Sequence, residues 1–181
     1  MTQAVLRCAC EARNVLVPQE LPGGLPVRAC DACGGSALAM GDYRHWRDQA
    51  GAAAQAAIGL LVVEDHPAAR PCPSCARLMQ RVRVGATPDF RLDRCAACAL
   101  LWLDRGEWDA LRSAGLATSL EEILSERWQR DLQAQEVRTR RIAQLREKHG
   151  AECMEELARM REWLDTQPHR DELLALLRAG W

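Results

Sequence analysis

Aromatic residues are scarce in this chain: one tyrosine, one phenylalanine and six tryptophans make up 4% of its 181 residues. So few rings exclude a large aromatic-rich sandwich. Lysine is scarcer still, with Lys148 alone against 23 arginines, and the formal net charge is only −1. A charge so near zero gives no global pull toward nucleic acid or an anionic membrane. Long hydrophobic runs are missing too. The longest weakly polar stretch, residues 50–63, has 14 residues and contains Gln55, short of the ~20 that a membrane-spanning helix needs. The opening MTQAVLRCACEAR lacks the basic-then-apolar pattern of a secretory signal, so a cytoplasmic location is expected. Enzyme signatures are equally thin: no phosphate-cradling glycine loop, no Ser/His/Asp arrangement and no paired carboxylates. The four histidines (His45, His66, His149, His169) are scattered. The chain is read as non-catalytic, with no small-molecule substrate and no membrane partner. What remains, 48% apolar and 27% charged residues, is the composition of an ordinary folded protein.

Cysteine is the residue in excess, with nine. Eight form close pairs: Cys8 with Cys10, Cys30 with Cys33, Cys72 with Cys75, and Cys95 with Cys98. Only Cys153 stands apart, in a charged helical stretch, and reads as a packed or idle thiol. Close pairs are poor disulfide partners for each other but good halves of a tetrahedral thiolate site. The second set, Cys72-Pro-Ser-Cys75, then 19 residues, then Cys95-Ala-Ala-Cys98, falls within the four-cysteine zinc spacing. The first set has the same 19-residue interval but opens with the tighter Cys8-Ala-Cys10. A redox-active Cys-x-x-Cys would need a βαβ context that the pattern lacks. All four ligands of each set are sulfur, which describes a closed, structural site without an open position for chemistry. Two zinc ions are expected; iron suits the same thiolates.

The two sets belong to an internal repeat. Adding 65 carries Cys10, Cys30 and Cys33 onto Cys75, Cys95 and Cys98, and Val17 and Leu38 onto Val82 and Leu103. It also carries Gly41-Asp42-Tyr43 onto Gly106-Glu107-Trp108 and Arg47 onto Arg112, so the unit extends into a following helix. Cys8 alone falls out of register. A module of ~40 residues buries too little apolar surface to offset its chain entropy. A four-thiolate metal site adds roughly 10–16 kcal/mol of apparent binding energy that becomes folding energy.

These residues carry a resemblance. CPSC followed by RLDRCAACALLWLDRGEWDALR, ending at Arg112, resembles the bacterial transcription-factor-IIB-type zinc ribbon family, whose knuckle ends Cys-x-x-Cys-Gly-Gly-x-Trp-Leu-Asp-x-Gly-Glu. RACDACGG followed by GDYRHW, ending at Trp46, is similar to a degenerate copy. More loosely, EWLDTQPHRDELLALL at residues 162–177 resembles the end of double-ribbon members. Together Cys8–Arg47 and Cys72–Arg112 cover a little under half the chain. The resemblance implies a zinc-ribbon fold and a DNA-binding or transcription-associated role. Ala99-Leu100 departs from the family's Gly-Gly, which places a β-carbon at a turn that favours positive φ.

The expected fold class is therefore α+β: two small four-cysteine zinc ribbons, each followed by a helix, plus a mostly α-helical C-terminal region. The boundaries read as 1–63 for the first ribbon and its helix, 64–71 for a proline-bearing linker, 72–116 for the second ribbon and its helix, and 119–181 for the C-terminal helices. Within the last region Ser119-Leu120-Glu121-Glu122 suggests a capping box, ahead of an apolar stripe at Leu120, Leu124, Trp128 and Leu132. His149-Gly150 marks a break, Met154, Leu157, Met160 and Leu164 form a second stripe, and Pro168 opens the last helix. Two functions compete. In one, Arg81, Arg83, Arg91 and Arg94 of the mildly basic second ribbon contact the phosphates of DNA or RNA. In the other, metal only staples the fold and the helices of residues 119–165 bind a protein partner. Exposure of Trp46, Trp102 and Trp108 would favour base stacking; their burial would mark them as packing residues.

Overall fold

A computed structural model describes residues 5–50 and 62–180. The chain divides into two compact units, Met1–Arg130 and Asp131–Trp181. In the first, β1 (Val17–Leu21), β2 (Leu25–Ala29) and β3 (Ser36–Ala39) precede α1 (Met40–Ala50). Then β4 (Gln80–Arg83), β5 (Arg91–Cys95) and β6 (Leu100–Leu103) precede α2 (Glu107–Ser113), the short α3 (Leu120–Ile123) and the start of α4 (Glu126–His149). The α+β expectation holds. The sheet is larger than expected, however: both sets of three strands join in one six-stranded antiparallel sheet of order β1-β2-β3-β6-β5-β4.

The join is β3 against β6, four residues each, with Leu38 opposite Leu101 and Ala37 opposite Trp102. Its sequence makes it a central pair. Ser-Ala-Leu-Ala and Leu-Leu-Trp-Leu are buried on both faces apart from partly exposed Ala39, so neither strand has a side that water could solvate. One face of the sheet carries Leu25, Val27, Leu38, Val82, Leu92, Leu101 and Leu103, and packs on Tyr43, Trp46, Trp108 and Leu111. The indoles of Trp46 and Trp108 meet edge-on at 5.3 Å. Both donate into one turn, Trp46 Nε1 to Gly23 O (2.7 Å) and Trp108 Nε1 to Pro22 O (2.9 Å). The other face carries a single row of directly paired residues across all six strands: Pro18, Arg28, Ala37, Trp102, Asp93 and Arg81.

The repeat is real in three dimensions but its register changes along the chain. The pairings β2–β3 and β5–β6 are related by the 65-residue shift, with Ala29 opposite Ser36 and Arg94 opposite Leu101. On the outer strands, however, Val17 faces Ala29 while Gln80 faces Arg94, so the counterpart of Val17 is Gln80 and not Val82. The five-residue connection between Val84 and Phe90 is two longer than that between Leu21 and Leu25, and absorbs the slip. Because the slip is even, every side chain keeps its face.

Residues 64–71, expected as a linker, also lie against the sheet. Glu64 N donates to Arg105 O (3.0 Å), His66 N to an Asp104 carboxylate oxygen (3.2 Å) and Arg70 N to Asp93 (3.4 Å). The capping box expected at Ser119 is not used. The Leu120 N–H finds the Tyr43 hydroxyl instead (3.0 Å), and Glu121 clamps Arg44 (2.7 Å) and Arg47 of α1. The cap falls six residues later, where Ser125 Oγ accepts from Trp128 N (3.2 Å). The proposed stripe is thus split between two helices, with Trp128 Nε1 bonded to Val84 O (3.1 Å).

The second unit contains the rest of α4, then α5 (Ala151–Asp165) and α6 (Arg170–Ala179). Gly150, at φ +84°, breaks the chain where His149-Gly150 predicts. Among the described residues of this unit only Leu164 is buried. Leu157 and Met160 of the anticipated stripe, and Trp163 outside it, are 51%, 58% and 55% exposed, whereas Leu164 of the same stripe is buried. Among the described residues, no helix is long and apolar enough to cross a membrane. The Ala-rich residues 51–57 lie outside the described residues.

Candidate metal centres

Each knuckle is a tight turn that aims two sulfurs the same way. Cys8 N donates to Asn14 O and Cys72 N to Arg77 O, at 2.9 and 2.8 Å, closing the first knuckle of each half. Gly34 N donates to Cys30 O (2.8 Å) in the second knuckle of the first half, and Gly34 takes φ +71° there. Ala99 stands at the matching position of the other half with φ +50°, and Arg13 and Ala76 sit in the left-handed region at +46° and +59°. These three L-residues are held at a conformation that disfavours a Cβ, which a strong local restraint must offset.

The sulfurs supply the reason. Cys8, Cys10, Cys30 and Cys33 converge so that all four Sγ atoms lie within 4.8 Å of one another, and so do those of Cys72, Cys75, Cys95 and Cys98. Within these sets Cys8–Cys33, Cys10–Cys30 and Cys75–Cys95 are 3.6, 3.8 and 3.7 Å apart. A disulfide needs ~2.05 Å, and all nine cysteines are free. A tetrahedron of thiolates ~2.3 Å from a zinc ion has edges of about 3.8 Å. The donor sets fit a four-coordinate metal. They can bind it and offer no position for a substrate. The tight Cys8-Ala-Cys10 opening does not displace Cys8, because the knuckle adds residues after Cys10 and recovers its closing hydrogen bond at Asn14. His45 and His66 are engaged elsewhere, with Gln49 (3.0 Å) and Ala68 O (2.9 Å). Cys153 is exposed on α5.

Electrostatics support the same chemistry. Burial pushes the Cys8 thiol up, and pushes Cys72 up to about 12. Hydrogen bonding from Cys8 brings Cys10 down to about 7, and the Arg77 backbone amide does the same for Cys75. Each set therefore holds a thiol that ionises near neutrality beside one that burial keeps protonated. A divalent cation supplies the charge that lets the rest ionise, with release of protons.

Beside the second centre lies a buried polar cluster that cysteine spacing does not reveal. The WLDRGE stretch builds it. Trp102 Nε1 donates to Asp104 Oδ1 (2.9 Å), and Asp104 N donates to Glu107 Oε2 (2.8 Å). Arg70 pairs with Asp104 at 2.9 Å and lies over the Trp102 ring at 5.6 Å. Gly106, at φ +84°, accommodates the chain at Val62–Val63 because a Cβ there would come within 2.1 Å of Val62 O. Burial raises Glu107 to about 9, and its Oε1 has no hydrogen-bond partner among the described residues.

The arginines singled out in the sequence are all engaged. Arg81 pairs with Asp65 and donates to Pro67 O (2.8 Å). Arg83 pairs with Asp89 (2.7 Å), Arg91 with Asp65 (3.6 Å), and Arg94 donates to Leu124 O (3.2 Å). Trp46, Trp102 and Trp108 are 6%, 3% and 3% exposed, which makes them packing residues. No family model, curated protein or solved structure matches the chain.

Proposed function

We propose that this chain is a non-catalytic, metal-stapled double ribbon that acts as a protein-interaction adaptor. The observation that carries this reading is the pairing of Arg81, Arg83, Arg91 and Arg94 with the chain's own carboxylates and carbonyls. A guanidinium already paired with a carboxylate, as Arg81, Arg83 and Arg91 are, gains little from displacing counterions around a phosphate. The buried tryptophans offer no stacking platform, and the net charge of −1 adds no attraction. The exposed apolar side chains of α5, Leu157, Met160 and Trp163, supply instead the contact surface that an adaptor needs.

Membership of the transcription-factor-IIB-type zinc ribbon family is part of the proposal. The two four-thiolate clusters, the three strands threaded through each and the helix after each support it. Zinc is the ion we assign to both clusters, since the closed all-sulfur set suits it. The competing reading, nucleic-acid binding, follows from that family resemblance.

Salt titration separates them. Fluorescence anisotropy with a labelled DNA duplex and a labelled RNA single strand, across roughly 50–200 mM salt, is expected to show no salt-dependent binding by the zinc-loaded protein. Affinity that falls steeply across that range would reinstate nucleic acid as the partner. A photo-crosslinking residue in place of Leu157 is expected to trap a discrete protein adduct in cells, and one in place of the exposed Arg77 is not.

A further inference from the structure

The two thiolate sets are not equally sheltered. Every cysteine of the first set is buried or partly buried, whereas Cys75 of the second is exposed. Their surroundings differ in charge as well. The knuckles of the first set, residues 8–14 and 30–35, carry Glu11 and Asp31 against Arg13 alone. Those of the second, residues 72–78 and 95–100, carry Arg77 and no acid. Arg77 is itself exposed, and its backbone amide donates to the Cys75 sulfur. Exposure, a neighbouring cation and an amide donor are the conditions under which a thiolate meets an oxidant and reacts with it.

A partner for the oxidised sulfur is already in place. Cys95 Sγ lies 3.7 Å from Cys75 Sγ, and Cys95 is buried, so an oxidant in solvent reaches the first sulfur and not the second. The two sulfurs come from different knuckles, one ahead of β4 and one at the end of β5. That is unlike a dithiol oxidoreductase, which pairs the cysteines of one Cys-x-x-Cys. The second set is also the more strained. Ala76 and Ala99 both hold positive φ there, at +59° and +50°, where the first set has Arg13 and a glycine, Gly34. Release of the ion frees two L-residues from a conformation that disfavours a Cβ.

We propose that Cys75 is a modification site for hydroperoxides, and that its oxidation ends in a Cys75–Cys95 disulfide that empties the second metal centre while the first keeps its ion. In the first step the Cys75 thiolate attacks one peroxide oxygen, the O–O bond breaks, and hydroxide leaves a sulfenic acid behind. In the second the Cys95 thiolate attacks the Cys75 sulfur, the S–S bond forms, and a second hydroxide departs. Two thiolates thus lose two electrons to one hydrogen peroxide, which ends as two waters at neutral pH. A centre with two of its four ligands removed no longer holds a closed tetrahedral ion. This inference rests on the metal-staple reading of the two clusters and not on the identity of the partner.

The test uses the full zinc-loaded chain with Cys153→Ser, which removes the exposed thiol of α5, after elemental analysis for two ions. One equivalent of hydrogen peroxide is added and zinc release is followed with a colorimetric chelator. The remaining thiols are then alkylated and the chain is mapped by mass spectrometry. Release of one ion per chain is expected, with a Cys75–Cys95 disulfide and with Cys8, Cys10, Cys30 and Cys33 still alkylated. Dithiothreitol with added zinc should restore the second ion, since a disulfide is reversible. Arg77→Glu reverses the charge beside Cys75 without touching the amide, and is expected to slow the release about tenfold while keeping two ions beforehand. Oxidation of Cys10 or Cys33 as fast as Cys75, a disulfide in another pairing, release of both ions together, or unchanged release from Arg77→Glu overturns the proposal. Fewer than two ions before peroxide is added would overturn the metal-staple reading beneath it, so the two failures are distinguishable.

Discussion

Ala37 and Trp102 stand directly opposite each other on the two central strands, and they are also each other's counterparts under the 65-residue repeat. The pseudo-twofold axis of the sheet therefore passes between them. A residue on such an axis meets its own copy, so two tryptophans there would contest one space. The chain resolves the conflict by unequal division: a large ring from one half, a methyl from the other. Gly35 and Leu100, also counterparts, divide in the opposite sense, and the glycine makes room for the ring.

Gly35 is accordingly the most size-restricted position on that face. Gly35→Ala forces a methyl against the Trp102 ring and is expected to cost about 1–3 kcal/mol, measured by urea unfolding of the metal-loaded protein. Combining it with Trp102→Leu should recover part of the loss, a coupling expected of residues in contact. A strictly additive pair would refute the contact.

The two metal centres report on one sheet. Cys95→Ser removes one thiolate from the second set and is expected to release one ion, leaving one per chain by elemental analysis. Since β6 is hydrogen-bonded to β3, unfolding followed by tryptophan fluorescence should move to lower temperature as one transition. Two separate transitions, with the first half unaffected, would mean that the halves fold independently. Retention of both ions would remove the metal-staple argument altogether.

Glu107 gives stability a pH dependence of known sign. Burial raises its carboxyl from the ordinary 4.5 to about 9. Between these values the unfolded chain has lost the proton that the folded chain keeps, so the folded state binds more protons and stability falls as pH rises through that window. Glu107→Gln mimics the neutral acid and keeps an acceptor for Asp104 N. It is expected to flatten the fall between pH 6 and 8 and to add on the order of 1–2 kcal/mol at the upper end. Chemical unfolding of both proteins at a series of pH values checks this; parallel curves would show that Glu107 is not the titrating group.

Ala99 holds φ +50° where the other half has Gly34 at +71°. Left-handed backbone costs an L-residue roughly 1–2 kcal/mol, against the smaller entropy that glycine adds to the unfolded chain. Ala99→Gly is therefore expected to stabilise the protein by up to about 1 kcal/mol without altering metal content. Gly34→Ala should destabilise by at least as much, because its Cβ would also meet the Arg105 side chain at 2.6 Å. Thermal unfolding of the two variants should shift in opposite directions.

What the sequence by itself determined is what short-range geometry controls. The eight cysteines that spacing groups into two sets are the eight whose sulfurs converge, because a knuckle is closed by residues only a few positions apart. The break at Gly150 and the positive φ at Ala99 were legible for the same reason. Ser119 misled because its neighbourhood carries the pattern of a cap while the Tyr43 hydroxyl, 77 positions away, takes the amide. Tertiary structure alone decided the rest. Whether two three-stranded sets close on themselves or share an edge depends on β3 meeting β6, a pairing between strands more than 60 residues apart. The two-residue slip at Val17 is equally invisible, since an even slip leaves the alternation of buried and exposed side chains unchanged. The cover that residues 64–70 lay over the second half follows from that shared sheet.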